Sequence, residues 1–567
     1  MVKIDYHKEK NEFLVQIPFA LNYLIQELPD RKWVKKRKFW AVPANWRAKE
    51  GMADLRNGDY EWTDEAIEIY DAIEKPTTGN VSGYPKAYKF KTTPMDHQFE
   101  GLNRFYGLDH GAIFFEQGLG KTKLAIDLAC MWHLRKKERI DTLIVVCPVS
   151  IRSVWEDELE IHSPVSFDIQ LLGSKIPKWK SELKRGVLRV LLVGVESLSQ
   201  GGAWERLVDL DSESMAEAFA INLGNCVLVV DESTRVKNSQ STRTERVVEL
   251  ATLCMKKLIM TGTPVTQGIE DLYAQFLVLN PDTLALNSFY GFRNRYCIMG
   301  GYKNKKALAY KNVPELMDLI APWSLRREKE DCLDLPKKIY QTRTVELSKT
   351  QKKAYMELKR ESYTEIKNEQ GGIDQIEVQM VLEKYLRFQQ ITGGFYPVIE
   401  DEESTAKPIP GSNPKMTELV QFLDELKGKK VMIWFRFRPE IELAYKLLHN
   451  EFKVVQFHGG LNEAEKKKSK EAFMSGDAEI FLATNAAAYG LTFTKCHHQV
   501  FYSQSFSLEE YLQQQDRIHR HGQDEECIYT HLRCLGTVDI IISDAHLLKK
   551  SVADHVSQKL HDGEEIF

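Results

Sequence analysis

Twice along this chain of 567 residues, short apolar strand candidates alternate with helical stretches. The first run spans 86–280 and carries Ala112–Phe115, Thr142–Cys147, Val190–Val195, Val227–Val230 and Lys257–Thr261. The second spans 411–535 and carries Lys430–Trp434, Lys453–Phe457, Ile480–Ala483, Gln499–Tyr502 and Ile528–Leu532. These strands lack strict polar alternation, as expected of parallel strands buried on both faces. The pattern predicts an α/β protein with two lobes, each built on a doubly wound parallel sheet.

The remaining segments differ in character. Residues 1–75 read as a small α+β block, closed by Pro and Gly signals near 76–85. Residues 281–410 read as helical and charged, with Ser348–Ile366 and Val378–Gln390 as the clearest helices. Within and beyond their end, 401–414 reads as a loop by composition, and 536–567 as a C-terminal helical tail.

Composition narrows the function classes. Charged residues make up 28% but balance to −4, so any DNA surface must be local. The nine cysteines stand singly, which speaks against a zinc module or a disulfide framework and for a reducing compartment. No apolar run reaches membrane-spanning length, and the N-terminus lacks a signal-peptide core. The expectation is a soluble, intracellular protein without a membrane partner. Its economy suits the cytoplasm or nucleoid of a prokaryote, or an infected host cell if the source is viral.

Chemistry concentrates at a few places. Gly118-Leu119-Gly120-Lys121-Thr122 follows a strand candidate and opens a helix. Glycines there let backbone N–H groups wrap phosphate oxygens, while Lys121 reaches the terminal phosphates and Thr122 holds Mg²⁺. Asp231 and Glu232 follow another strand, on the edge where ligands bind. Asp231 would support Mg²⁺, and Glu232 would deprotonate the attacking water. Gln98 precedes the loop and can pair with adenine through its amide. Arg517 and Arg520 lie three apart, so on a helix they share a face suited to charge on a transferring γ-phosphate. The loop, the acids and the glutamine each have a plainer reading: a ligand-free turn, solvated acids, a surface glutamine.

With the pieces in this order, residues 90–550 resemble the Swi/Snf-type ATPases, the duplex-DNA translocase branch of superfamily-two helicases. The resemblance rests on Gln117–Thr122, Ile144–Pro148 with Trp155, Asp231–Asn238, Leu258–Leu279, and Ser324–Arg327 with Lys329. In the second run it rests on His458-Gly459-Gly460, Ala483–Asn485, Gly490–Thr492, and Gln513 with Arg517 and Arg520. Thr234 stands where the family has histidine, which leaves any histidine relay in doubt. The resemblance implies two RecA-like lobes with helical protrusions, and ATP hydrolysis with Mg²⁺ at their cleft. It puts Gly490 and Gln513 among the nucleotide-binding residues. Pro148, Ser150, Arg436, His458, Thr484 and Asn485 become DNA contacts, held mainly to phosphates.

The most basic stretch is Arg31–Trp40, where Lys35, Arg37 and their neighbours interleave with Trp33, Phe39 and Trp40. Cations can meet phosphates while rings stack on exposed bases, so single-strand or junction contact by Lys35, Arg37, Phe39 and Trp40 is one reading. A localisation run, or a hairpin with one solvated and one aromatic face, is the other. Continuous alternation would put Trp33, Lys35, Arg37 and Phe39 on one side. Phe13–Pro43 also weakly resembles the HARP-type domain of annealing helicases, which implies recognition of forked DNA.

The expected function is an ATP-dependent double-stranded-DNA translocase that remodels or anneals forked or branched DNA. A general duplex translocase that displaces proteins, and an ATP-gated DNA-binding scaffold, stand as alternatives.

Overall fold

The computed structural model describes all residues except 1, 26–27, 29–30, 36, 75–83, 173–185, 200–224, 267, 287, 301–305, 369–374, 401–402, 488–490 and 549–567. The chain divides into two compact units, Met1–Glu328 and Lys329–Phe567.

The first unit opens with a five-stranded sheet: β1 (Lys3–His7), β2 (Glu12–Gln16), β3 (Lys32–Val34), β4 (Phe39–Pro43) and β5 (Glu61–Trp62). Its order is β3-β4-β2-β1-β5, so β3 is an edge. Ile4, Phe13, Val15 and Val42 alternate inward along the strands and pack on Ala48, Met52, Leu55, Ala66 and Tyr70 of the following helices.

A seven-stranded sheet follows. Its strands are β6 (His110–Phe115), β7 (Thr142–Cys147), β8 (Ser166–Leu172), β9 (Val187–Gly194), β10 (Cys226–Asp231) and β11 (Lys256–Met260), and later β14 (Ser324–Arg327). The order is β14-β6-β11-β10-β7-β9-β8, with every pairing parallel. Residues 142–147 and 226–231 are buried at every position, which explains their unbroken apolar runs. Between β11 and β14 lies a hairpin of β12 (Cys297–Gly300) and β13 (Lys306–Tyr310).

In the second unit, β15 (Lys338–Val345) precedes a hairpin of β16 (Phe395–Glu400) and β17 (Glu403–Pro408). Then come β18 (Val431–Trp434), β19 (Val454–Phe457), β20 (Ile480–Ala483), β21 (His498–Phe501) and β22 (Cys527–Cys534). The sheet order is β15-β22-β21-β18-β20-β19, again all parallel.

Two expectations need correction. Residues 281–410 are not simply helical: helices Lys349–Asn368 and Gln375–Gly393 are present, but β14 joins the first sheet and β15 the second. β15 hides in the sequence because it is an edge strand, with its polar residues largely exposed. The composition-based loop at 401–414 contains β17, paired to β16. Of the expected C-terminal tail, the helix Val538–Leu547 is present and 549–567 lies outside the described residues. No described helix is long and apolar enough to cross a membrane.

Candidate nucleotide site and nucleic-acid contacts

Because β6, β11 and β10 are neighbours and parallel, the loops after them leave the same sheet edge. These loops carry Gly118–Thr122, Thr261–Pro264 and Asp231–Glu232. That edge is where open parallel sheets bind ligands.

The loop after β6 needs its glycines. Gly118 and Gly120 have φ of 86° and 71°, a region that side chains disfavour. A Cβ on Gly120 would also collide with the Gln98 amide. The helix Lys121–His133 then starts directly, with Lys121 Nζ donating to Phe115 O at 3.0 Å. Thr122 is half-buried in its first turn. Gln98 serves the loop from behind: its Nε2 donates to Leu119 O and Gly120 O, both at 3.2 Å. Its Oε1 accepts from Met95 N–H at 2.9 Å. Both ends of the amide proposed to read adenine are thus engaged within the chain.

Asp231 is buried at the end of β10. Trp155 Nε1 donates to its Oδ2 at 3.0 Å, and Glu232 N–H to its Oδ1 at 2.9 Å. Burial, then the neighbouring Glu232 charge, pushes the carboxyl above its ordinary range, and Lys121 pulls it back. Glu232 sits at φ 50°, ψ 56°, a strained conformation for a non-glycine residue. It is buried, with 9% of its surface exposed.

Two residues whose partners sequence reasoning missed complete this region. Trp155, quoted in the resemblance beside Ile144–Pro148, is the donor that orients Asp231. Gln275, fully buried, accepts from Ser233 Oγ at 2.7 Å. Its Nε2 donates to Pro264 O at 2.7 Å and to Asp271 O at 2.8 Å. The loop after β10 is thereby tied to the loop after β11. The signal was there: a lone glutamine in the apolar helix Asp271–Leu279. Thr234 buries an Oγ1 that makes no hydrogen bond among the described residues.

In the second unit the arginines are arranged differently from expectation. The helix Leu508–Gln515 ends before them, so Arg517 and Arg520 do not share a helical face. Arg517 is 2% exposed; its Nε donates to Gln513 O at 2.9 Å and its Nη1 to Leu491 O at 3.0 Å. Arg520 is half-buried, with Nε on Asp516 O at 2.7 Å and Nη1 on Thr492 Oγ1 at 2.9 Å. Gln513 is buried and donates to Glu509 Oε1 at 3.2 Å. Gly490 lies outside the described residues.

The expected DNA contacts divide. Ser150 is exposed, whereas Pro148 is buried and shapes the turn after β7. Thr484 and Asn485 are half-exposed after β20. His458, after β19, is buried, and its Nδ1 accepts from Gly460 N–H at 3.2 Å. Arg436 is turned inward: its guanidinium stacks 3.8 Å from the Phe506 ring centre and donates to Gln389 Oε1 at 2.9 Å. Burial lowers its pKa to about 10, and its guanidinium also donates to Gln504 O at 3.2 Å.

In the N-terminal block the alternation breaks. Lys35, Arg37 and Lys38 lie in the turn between β3 and β4, with Lys38 at φ 52°. Trp33 pairs with Trp40 and Val34 with Phe39, so Phe39 is on the face opposite Trp33. Trp33 and Trp40 rings lie 5.2 Å apart, and Arg31 covers Trp40 at 5.3 Å. Trp33 is 43% exposed, Lys35 and Arg37 are exposed, and Phe39 and Trp40 are half-buried.

Two parallel-sheet units, one with a glycine-rich loop beside paired acids, define the helicase-like ATPase class. Residues 97–393 match the SNF2-related domain and 414–522 the helicase conserved C-terminal domain. The chain belongs to the SNF2-related family. It is 23% identical over 510 residues to the helicase/translocase YwqA of Bacillus subtilis (strain 168), covering 87% of this chain and 52% of that one. It is 24% identical over 541 residues to the chromatin remodeling factor mit1 of Schizosaccharomyces pombe, covering 90% and 36%. The chain thus spans about half or less of the length of these relatives. A solved Sulfolobus solfataricus SWI2/SNF2 ATPase core in complex with dsDNA is similar at 23% identity and TM-score 0.37, covering 84% of this chain and 96% of that one.

Proposed function

We propose that this chain is a DNA-stimulated ATPase that moves along duplex DNA and remodels or anneals forked or branched duplexes. The observation that carries this reading is the convergence of the Lys121 loop with Asp231 and Glu232 on one edge of β6, β11 and β10, inside a family-matched domain. Backbone N–H groups of Gly118–Gly120 and Lys121 Nζ bind the phosphates of ATP. Thr122 and Asp231 are the residues that would hold Mg²⁺, which when bound supplies charge neutralisation at the phosphates. The buried, hydrogen-bonded carboxylate of Asp231 beside Lys121 suits a cation. Glu232 accepts the proton of the water that attacks the γ-phosphorus, with ADP leaving. Arg517 and Arg520 supply positive charge to the transition state.

Duplex DNA is held by Ser150, Thr484 and Asn485, mostly at phosphates. Fork preference comes from the basic β3–β4 hairpin, where exposed Trp33 joins Lys35 and Arg37. The test is ATP hydrolysis without DNA and with single strand, linear duplex or forked duplex at fixed salt. The full chain is compared with a Lys35→Glu, Arg37→Glu, Trp33→Ala variant. Fork-preferring activity that falls to the duplex level in the variant supports the reading. Equal stimulation by fork and duplex in both leaves a general duplex translocase. No hydrolysis with any DNA leaves the scaffold.

A further inference from the structure

We propose that Lys329 is a positioning residue for the Arg517–Arg520 segment: its buried ammonium fixes Asp516, and Asp516 fixes Arg520. The inference rests on the functional reading above, in which these arginines act on the transferring phosphate.

Lys329 is only 4% exposed, and its Nζ lies 2.6 Å from Asp516 Oδ1. It also donates to His519 O at 3.2 Å. Asp516 is equally buried and works at both ends. Its carboxylate takes Lys329, while its backbone carbonyl accepts from Arg520 Nε at 2.7 Å. Other residues of the same stretch reinforce this grip. The His519 imidazole donates through Nε2 to Pro336 O at 2.8 Å, and Tyr340 OH donates to Gln515 Oε1 at 3.0 Å. Lys338 Nζ stands 3.7 Å from Asp516 Oδ1, a weaker second cation. Asp516 and His519 each adjoin one of the two arginines in sequence, and Gln515 lies two residues before Arg517.

The placement of Lys329 in the chain gives the grip a role beyond packing. Two residues earlier, Arg327 O accepts from Glu116 N–H at 2.9 Å, at the root of the Lys121 loop. Arg327 Nε also donates to Glu100 Oε2 at 2.9 Å. Only Glu328 separates the residue bonded to the phosphate loop from the residue that holds the arginine segment. The chain thus passes directly from the residue bonded beside the Lys121 loop to the residue that grips Asp516.

The experiment measures DNA-saturated turnover, binding of a non-hydrolysable ATP analogue, and thermal unfolding. It uses the unaltered full chain and the variants Lys329→Met, Lys329→Met with Asp516→Asn, and Arg520→Ala. Lys329→Met strands a buried carboxylate and should be less stable. Its turnover should fall on the order of tenfold to a hundredfold, as misplacement of a reacting group does. Its analogue affinity should stay within about threefold, because a transition-state contact contributes little to ground-state binding. The double variant removes both charges, so stability should return while turnover stays low. If Lys329→Met does not fold, the double variant alone decides. Turnover that returns together with stability overturns the proposal and makes the pair merely structural. Normal turnover in Lys329→Met beside an inactive Arg520→Ala also sinks the inference, but leaves the functional reading standing. Normal turnover in Arg520→Ala, or no DNA-stimulated hydrolysis in the unaltered chain, sinks both.

Discussion

Glu232 occupies left-handed backbone space without being glycine, beside a buried aspartate whose own carboxyl is held by Trp155 and by the Glu232 amide. Strain of this kind costs on the order of 1–3 kcal/mol and persists only where the surroundings enforce it. Glu232→Gln keeps the shape and the strain but loses the base. It should bind ATP normally and hydrolyse it slower by on the order of 10²–10⁴-fold, measured by analogue binding and single-turnover hydrolysis. Normal turnover would show that the water-activating base lies elsewhere. The two arginines should separate in the same assays. Arg520→Ala should lose turnover on the order of 10³-fold with its melting temperature intact, because the side chain is half-buried. Arg517→Ala should also lower the melting temperature, since its buried guanidinium holds the Gln513 and Leu491 carbonyls. The acids stand out by their place after a strand and by the family resemblance, whereas the helical face that spacing gives the two arginines is not formed. What spacing could not reveal was partnership: Trp155 with Asp231, Ser233 with Gln275, and Arg436 with Phe506. Those pairs join residues distant in sequence, and only the packed fold brings them together.

Elements were legible where burial imposes a period. The central strands β6, β7, β10 and β11 follow from apolar runs, because both of their faces are covered. Edge strands β14 and β15 escaped because exposed polar positions mask their pattern. In the β3–β4 hairpin the turn that carries Lys35, Arg37 and Lys38 interrupts the alternation, so Trp33 faces Trp40 rather than lining up with Phe39. The end of the second unit makes an element-scale prediction. Burial holds His498 on β21 and His546 on the helix Val538–Leu547 at about 4, and His531 on β22 at about 3. His531 stacks 5.1 Å from Phe501, and His546 stacks 4.8 Å from Tyr511. A depressed histidine pKa means that the unfolded chain takes up protons first. Stability is therefore lost as pH falls from about 6.5 toward 4. The melting temperature should drop between pH 7 and pH 5, and His546→Phe should flatten that slope. A melting temperature that holds level across the interval would contradict the assignment.

At the scale of the whole molecule, the decisive feature is that the N-terminal block is built into the first unit. One short helix, Trp46–Gly51, does the joining. Trp46 Nε1 donates to Asp282 O at 2.7 Å. The Arg47 guanidinium donates three times: to Leu284 O at 2.6 Å, to Glu315 Oε1 at 2.7 Å and to Tyr296 OH at 2.6 Å. Asn45 Nδ2 adds a bond to Ala285 O at 3.3 Å. These acceptors belong to the segment between β11 and β14, so the block is docked on the unit whose sheet carries the Lys121 loop. A basic hairpin on a tether could raise local DNA concentration but could not report DNA shape. A hairpin fixed by buried bonds can do both, because the angle at which it meets a strand is set relative to that sheet. Arg47→Ala leaves Leu284 O without its buried donor and should cost about 1–3 kcal/mol of stability, read by urea denaturation. If geometry is what gives fork preference, the variant should keep its hydrolysis on linear duplex while the fork-to-duplex ratio falls toward one. A variant that loses stability yet keeps its full fork preference would mean that the hairpin acts through charge alone.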